Sequence, residues 1–185
     1  MDQVIKIVGF TGSLRNRSYN KAVLWAANEI LPERASLEIL DLSKLPFFNE
    51  DVEAVALPQE VLNFRAALTA CDAVFISTPE YNFSLPPVLK NALDWASRGD
   101  LLPLSGKPVA IISASPGKFG GARVQYHLRQ VCVSLNLIPL NVPEVFIMKA
   151  NEKFDKNGDL IDEETWTSIK KLLQELVDFA RLLKP

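Results

Sequence analysis

A polar stretch early in the chain, residues 12–20 (GSLRNRSYN), holds the groups that proteins use to bind an anion. It combines serine hydroxyls with the forked guanidinium groups of Arg15 and Arg17, and a segment with helical spacing begins at Ser18. The free N–H groups and the dipole at a helix N-terminus favour negative charge, and arginine adds a charge-assisted donor. The stretch predicts a phosphate site; the alternative is an ordinary capped turn with Ser18 as N-cap and solvated arginines.

The same stretch lacks the glycine spacing of a dinucleotide or triphosphate loop. Gly9 and Gly12 are present, but the next glycine is Gly99, so the pattern G-x-G-x-x-G fails. The G-K-[ST] ending of a Walker loop is absent as well. A terminal monophosphate therefore fits this stretch better than a pyrophosphate or a triphosphate.

Two further stretches have the composition of ligand loops. Residues 79–86 (PEYNFSLP) mix aromatic side chains with hydrogen-bonding groups, which suit the face and the edge of a planar heteroaromatic ring. Residues 113–121 (SASPGKFGG) contain three glycines, which allow a ligand to approach the backbone closely. Each stretch alone is equally consistent with turn chemistry. Together with the first stretch, they predict a shared ligand site.

The elements that position these stretches alternate between strand and helix. Apolar runs predict five strands, at residues 4–10, 36–40, 72–78, 108–113 and 145–148. Helical spacing predicts helices at residues 18–31, 58–69, 86–97, 120–135 and 165–183. The alternation predicts an α/β fold, a doubly wound, five-stranded parallel sheet in the flavodoxin-like order 2-1-3-4-5. In that order the loops at residues 11–20, 79–85 and 113–121 meet beyond the carboxyl edge of the sheet.

The composition is that of one ordinary globular domain over residues 1–185. Hydrophobic residues make up 48%, and 20 basic against 22 acidic residues leave a net charge of −2. This balance argues against a nucleic-acid surface and against a polybasic membrane patch. A membrane helix needs about 20 consecutive apolar residues, and no apolar run in the sequence is that long. The N-terminus lacks the basic region of a secretory signal. We expect a cytoplasmic protein with no nucleic-acid partner and no membrane insertion.

Residues suited to a protein-borne nucleophile or a metal site are scarce. Cys71 and Cys132 lie far apart without CxxC spacing, so we expect buried, inert thiols rather than a disulfide or a zinc site. His127 is the single histidine and is expected at the surface or in an interface. It cannot supply a Ser-His-Asp triad or a multi-histidine zinc site, so we expect no catalytic side chain and no metal.

Three segments of the chain form a recognisable set: Gly12-Ser13-Leu14-Arg15 with Ser18 and Asn20, then Pro79-Glu80-Tyr81-Asn82, then Lys90-Asn91-Ala92-Leu93-Asp94-Trp95. Taken together, they resemble the NADPH-dependent FMN reductase family. Within the family the chain is similar to bacterial quinone and chromate reductases, which share Gly120-Gly121-Ala122-Arg123 and Tyr126. The resemblance runs from about residue 4 to the end of the chain. It implies a bound FMN that takes hydride at N5 from NADPH or NADH and delivers it to a quinone or another small acceptor, with chromate, azo and nitro compounds as further acceptors.

The resemblance also implies roles for individual residues. Those that hold the FMN phosphate are Ser13, Arg15, Ser18 and Asn20. Those that border the isoalloxazine, largely through backbone groups, are Pro79, Glu80, Tyr81 and Asn82, with Ser115 and Gly117 near its pyrimidine end. The implied unit is a homodimer or homotetramer, in which a contact between dimers is formed by Arg123, Tyr126 and Glu144.

Two other classes of protein remain as alternatives. A flavodoxin-type electron carrier binds FMN without oxidising a nicotinamide itself, but such carriers depend on a strongly acidic face, which a net charge of −2 supports poorly. A dehydrogenase that binds only a nicotinamide is disfavoured by the missing glycine pattern. Asp41, near the end of the second strand, could serve as its ribose ligand, although aspartate at such a position is more often a turn or cap residue.

Overall fold

The computed structural model describes residues 3–184, in which a parallel sheet is packed between two layers of helices. The strands are β1 (Ile5–Thr11), β2 (Ala35–Leu40), β3 (Ala73–Ser77), β4 (Pro108–Ala114), β5 (Ile138–Pro139) and β6 (Val145–Ile147). The helices are α1 (Tyr19–Glu29), α2 (Glu50–Val55), α3 (Gln59–Ala70), α4 (Pro87–Ala96), α5 (Ala122–Ser134), α6 (Ala150–Lys153) and α7 (Glu163–Leu183). A short 3-10 helix, Leu42–Lys44, follows β2.

The sheet confirms the predicted topology. Its strands run β2-β1-β3-β4-β5 and all pairs are parallel, which is the flavodoxin-like order. The strand count is corrected from five to six, because two short strands share the last position. β5 pairs with the start of β4 at Pro108 and Val109, whereas β6 pairs with its end. Pro139 and Pro143 lie at this break, and proline lacks the N–H that a strand ladder needs.

The central strands are buried on both faces, so their sequences read as continuous apolar runs rather than as alternating ones. In β1, Ile5 and Ile7 face the core beneath α1 and α7. Val8 and Phe10, on the opposite face, join the core beneath α3, α4 and α5. Two apolar layers therefore fix the sheet, and the loops at its carboxyl edge start from a rigid base.

Two short helices were not predicted because they carry no apolar periodicity. α2 begins after Asn49, whose side chain accepts a hydrogen bond from Asp51 N at 2.9 Å, and it buries none of its residues. α6 is a single turn of four residues. The five predicted helices are all present, and Ser18 is the N-cap of α1, accepting from Lys21 N at 3.4 Å.

We expect replacement of Asp162 by alanine to lower the free energy of unfolding by about 1 kcal/mol at pH 7, because this residue caps α7. The Asp162 carboxylate accepts from Thr165 N and from Lys153 Nζ, both at 2.9 Å. The hydroxyl of Thr165, followed by Lys153, lowers its pKa to about 2. Since the pKa in the folded state is below the ordinary aspartate value of 3.8, this contribution is present above pH 3.8 and is lost as the pH falls toward 2.

Urea unfolding at several pH values measures this effect. Asp159→Ala is the matched control, since it removes a nearby exposed carboxylate that accepts no hydrogen bond from the rest of residues 3–184. Equal unfolding midpoints for the two variants at pH 7 would contradict the role of Asp162 as a cap.

Candidate functional site

Three loops meet at the carboxyl edge of the sheet: the first loop (residues 12–18), the second loop (residues 79–86) and the third loop (residues 115–121). The first loop packs closely on the start of α4. A Cβ atom at Gly12 would lie 2.9 Å from both Pro86 Cγ and Leu89 Cβ, so only glycine allows this approach. The first and second loops are therefore in direct contact, as the strand order predicts.

The Asn20 side chain connects the start of α1 to the strands from which the second and third loops leave. Its Oδ1 accepts from the Ser77 hydroxyl at 3.1 Å and from Ala114 N at 3.0 Å, while its Nδ2 donates to Ala114 O at 3.0 Å. The side chain is only 2% exposed. Asn20 thus joins the start of α1 to the ends of β3 and β4, and its amide is turned toward the sheet edge.

The first loop offers donors that have no acceptor in the described part of the chain. The backbone N–H groups of residues 14–17 donate to no acceptor within residues 3–184. Arg15 is exposed, and its Nη2 donates to Arg17 O at 3.3 Å, which folds the guanidinium over the loop. Ser13 and Ser18 are nearly buried beneath it. An anion at the N-terminus of α1 would meet these N–H groups and the positive end of the helix dipole, so the loop fits a phosphate.

The second loop is a tight turn that presents aromatic rings. Tyr81 and Ser84 exchange two backbone hydrogen bonds, of 3.1 and 2.9 Å. Between them, Asn82 and Phe83 both have positive φ, at 50° and 66°. A positive φ is uncommon for phenylalanine and is associated with functional sites. Tyr81 and Phe83 are exposed at the mouth of the crevice, where they can border a planar ring.

Glu80 anchors the second loop to α5. Its Oε2 accepts from Val124 N at 3.1 Å and so supplies the side-chain cap that Gly121, at the N-cap position, cannot provide. Its Oε1 accepts from Arg123 Nη1 at 3.2 Å. The Arg123 guanidinium carbon lies 4.3 Å from the centre of the Phe83 ring and 4.4 Å from that of Phe119. This Arg123 cluster (Glu80, Phe83, Phe119 and Arg123) links the second loop to the third.

The third loop is held close to the strand from which it leaves. Gly121 has a φ of 84°, and a Cβ atom there would lie 2.7 Å from Ser113 Cβ. The Ser115 hydroxyl accepts from Gly117 N at 3.1 Å, and Ser115 O accepts from Ala150 N at 3.0 Å. The N–H groups of Lys118 and Phe119 donate to no acceptor in the described part of the chain. These two donors are available to a ligand.

The residues assigned to a contact between dimers form two groups within one chain. Tyr126 Oη donates to Glu144 Oε2 at 3.5 Å on the surface. Arg123 instead pairs with Glu80 in the second loop. His127 is exposed, as expected, and its Nδ1 lies 3.2 Å from the Ser84 hydroxyl. No sequence pattern indicates the internal role of Arg123, because its partner Glu80 lies 43 residues away.

The two cysteines lie away from this crevice. Both are buried, as predicted, and burial raises the pKa of each thiol, that of Cys132 to about 12. Within residues 3–184, no group of three or more His, Cys, Asp or Glu side chains is placed to hold a metal ion. Over the same residues, no helix is long and apolar enough to cross a membrane.

The chain is similar to known proteins over its whole length. Residues 5–152, which include all three loops, match the family model of the NADPH-dependent FMN reductases. The chain is 48% identical over 184 residues to an NAD(P)H-dependent FMN reductase of Pseudomonas aeruginosa, with 100% of both chains covered. It is 43% identical to an NAD(P)H:quinone oxidoreductase of Solanum tuberosum, covering 98% of this chain and 95% of that protein.

A solved structure gives the same result. The flavoenzyme NAD(P)H:(acceptor) oxidoreductase FerB of Paracoccus denitrificans superimposes with a TM-score of 0.88 at 32% identity, over 97% of this chain and 98% of that one. The assignment of an oxidoreductase with FMN as cofactor and NAD(P)H as hydride donor is thereby confirmed. The chain belongs to the NADPH-dependent FMN reductase family.

Proposed function

We propose that this chain holds FMN across its three loops and passes hydride from NAD(P)H to quinones. The observation that carries the proposal is the set of unused backbone donors in the first loop, next to the exposed Arg15. This anion site opens onto the same sheet edge as the aromatic second loop, which suits a ligand with a phosphate at one end and a planar ring at the other. The printed activity of the relative from Solanum tuberosum supports a quinone as acceptor.

The cofactor would be divided among the loops as follows. Arg15 and the N–H groups of the first loop bind the phosphate, with Ser13 and Ser18 beneath it. The isoalloxazine is bordered by Pro79, Glu80, Tyr81 and Asn82. Ser115 and Gly117 lie toward its pyrimidine end. We assign Asn20 a positioning role, because its Oδ1 and one Nδ2 hydrogen are already bound to the ends of β3 and β4.

The hydride chemistry belongs to the cofactor, which accepts and releases hydride at N5 when it is bound. The chain supplies position and electrostatics. The N–H groups of Lys118 and Phe119, which donate to no acceptor within residues 3–184, would donate to the pyrimidine carbonyl oxygens of a bound flavin and stabilise negative charge there. The glycines of the third loop leave room for this approach.

Steady-state kinetics tests the proposal. If donor and acceptor use one face of the ring in turn, initial-rate plots at several fixed quinone concentrations give parallel lines, the pattern of a ping-pong mechanism. The assay contains NADH or NADPH, a soluble quinone and no partner protein, with flavin-free protein as control. Intersecting lines would contradict the shared site. An absence of nicotinamide oxidation would favour the electron-carrier alternative.

Three finer features are part of the proposal. Chromate, azo and nitro compounds are further acceptors, since small oxidants can reach an open ring, and the protein acts in the cytoplasm. The working unit is a homodimer or homotetramer, supported by exposed Tyr81, Phe83 and Phe119 beside the crevice. A second copy would cover these apolar surfaces and complete the flavin pocket.

Arg123→Ala is expected to shift tetramers toward dimers while FMN stays bound. An exposed ion pair contributes only about 0–1 kcal/mol, so Arg123 matters to assembly chiefly where the interface removes it from water. The bond from Val124 N to Glu80 remains in the variant and holds the second loop. Light scattering and flavin absorbance measure both effects, with Arg181→Ala on α7 as the control. A variant that stays tetrameric at nanomolar concentration, or a fully active wild-type monomer, would contradict the scheme.

A further inference from the structure

A second cleft lies beside the first loop and shares Ser13 and Leu14 with it. Its volume is about 180 Å³, and it opens between α1 and the end of β2. Because β1 separates β2 from β3 in the sheet, this α1–β2 cleft lies on the side of the first loop away from the second and third loops. The residues that carry its chemistry are Ser13, Leu14, Lys21, Trp25 and Asp41.

One wall of the α1–β2 cleft is an exposed indole. Trp25 is 56% exposed although it lies on a well-packed helix, and it follows Lys21 by one helical turn on the same face. Leu24 and Ile39 also line the cleft and give it an apolar floor. A flat ring over such a floor suits a planar heterocyclic base.

The opposite side of the cleft carries a fixed carboxylate. Asp41 Oδ1 accepts from Ser43 N at 2.9 Å, and Oδ2 accepts from the Ser43 hydroxyl at 2.8 Å. These hydrogen bonds, with a smaller effect of Lys21, hold the pKa of Asp41 below its ordinary value. The group is therefore ionised near neutral pH and can only accept hydrogen bonds, which suits a pair of ribose hydroxyls.

Lys21 completes the set with a positive charge. Its ammonium group donates to no acceptor within residues 3–184, and it lies close enough to Asp41 to affect that carboxylate. An ammonium beside the first loop can bind a phosphate that lies next to the one held by that loop. The cleft therefore has one side chain suited to each part of a nucleotide: Trp25 for the base, Asp41 for the ribose and Lys21 for the phosphate.

We infer that the α1–β2 cleft binds the adenylate half of a dinucleotide, with Trp25 against the base, Asp41 at the ribose and Lys21 at the phosphate. The inference rests on the proposed placement of the flavin phosphate in the first loop, which shares Ser13 with the cleft. Two dinucleotides carry this group: the nicotinamide donor, and FAD bound in place of FMN. If the donor is the source, the charge of Asp41 disfavours a 2′-phosphate, so NADH is preferred to NADPH.

The first arm of the test compares NADH with reduced nicotinamide mononucleotide, which lacks the adenylate half, as donors to the FMN enzyme. If the cleft holds the donor, Trp25→Ala raises KM for NADH about tenfold and leaves the kinetics with the mononucleotide unchanged. Trp25→Phe keeps a ring and restores most of the loss. Asp41→Asn improves kcat/KM for NADPH relative to NADH about fivefold. Lys171→Ala, on exposed α7 surface, is the control for charge.

The second arm measures binding without turnover. Apoprotein is titrated with FAD and with FMN, followed by flavin fluorescence. If the cleft holds FAD, Trp25→Ala weakens FAD about tenfold and leaves FMN affinity unchanged. The inference is overturned if Trp25→Ala changes neither KM for NADH relative to the mononucleotide nor the affinity for FAD relative to FMN. The flavin phosphate assignment is tested separately by Arg15→Ala, so failure of that assignment is distinguishable from failure of the adenylate site.

Discussion

Replacing Arg15 by alanine is expected to weaken FMN binding by tenfold to over a hundredfold, while riboflavin affinity barely changes. A charge-assisted hydrogen bond to phosphate contributes about 1.5–3 kcal/mol to binding. Riboflavin has no phosphate, so it does not make this bond and its affinity does not depend on it. Arg15 is exposed and, within residues 3–184, donates only to Arg17 O in its own loop, so it can turn to a ligand without breaking the fold. Titration of the apoprotein with each flavin measures the difference.

Arg17→Ala is the matched control for this experiment. It removes the same charge from the same exposed loop and leaves the Arg17 carbonyl in place. We expect it to weaken FMN by much less than Arg15→Ala, because only general electrostatic attraction is lost. If both variants bind FMN as tightly as the wild type, the first loop does not hold the phosphate.

Asn20→Ala is expected to lower the free energy of unfolding by about 3 kcal/mol and to weaken FMN binding as well. The substitution leaves the Ser77 hydroxyl, Ala114 N and Ala114 O without their partner in a buried place. Each buried group left unsatisfied costs about 1–3 kcal/mol. The ends of β3 and β4 then lose their link to α1, so the second and third loops also lose their alignment with the first.

Urea unfolding of the apoprotein and FMN titration measure the two effects separately. Asn28→Ala removes an exposed amide from the same helix and serves as the control. If Asn20→Ala unfolds at the same urea concentration as Asn28→Ala, the three hydrogen bonds do not hold the site together. Normal stability combined with weak FMN binding would instead assign Asn20 directly to the phosphate.

The fold was predictable because its signals are local. Runs such as residues 73–76 (AVFI) are apolar throughout, and each falls between helical stretches, which is enough to define a doubly wound parallel sheet. The short elements escaped prediction for the same reason. β5 has only two residues, too few to show a pattern, and α2 buries none of its side chains.

The site was predictable as a set of loops, but the bonds that shape it were not. Residue type and motif select Asn20 and Glu80, yet both side chains are bound to partners far away in the sequence, Ala114 and Val124 among them. Such pairs depend on the register of the sheet and on the exact approach of α5. Sequence spacing therefore identifies which residues belong to the crevice, and packing decides which of them remain available to a ligand.

The break between β5 and β6 makes this edge of the sheet a poor site for pairing with a strand of another chain. An outer strand exposes unpaired N–H and C=O groups on which a foreign strand can build, and long, regular outer strands are the usual starting points of aggregation. At this edge of the sheet the outer position is occupied by two residues of β5 and three residues of β6, and the segment between them, which includes Pro143, is not a strand. An incoming strand finds no continuous ladder along it. Joining the two pieces by removing the prolines would give self-association a template.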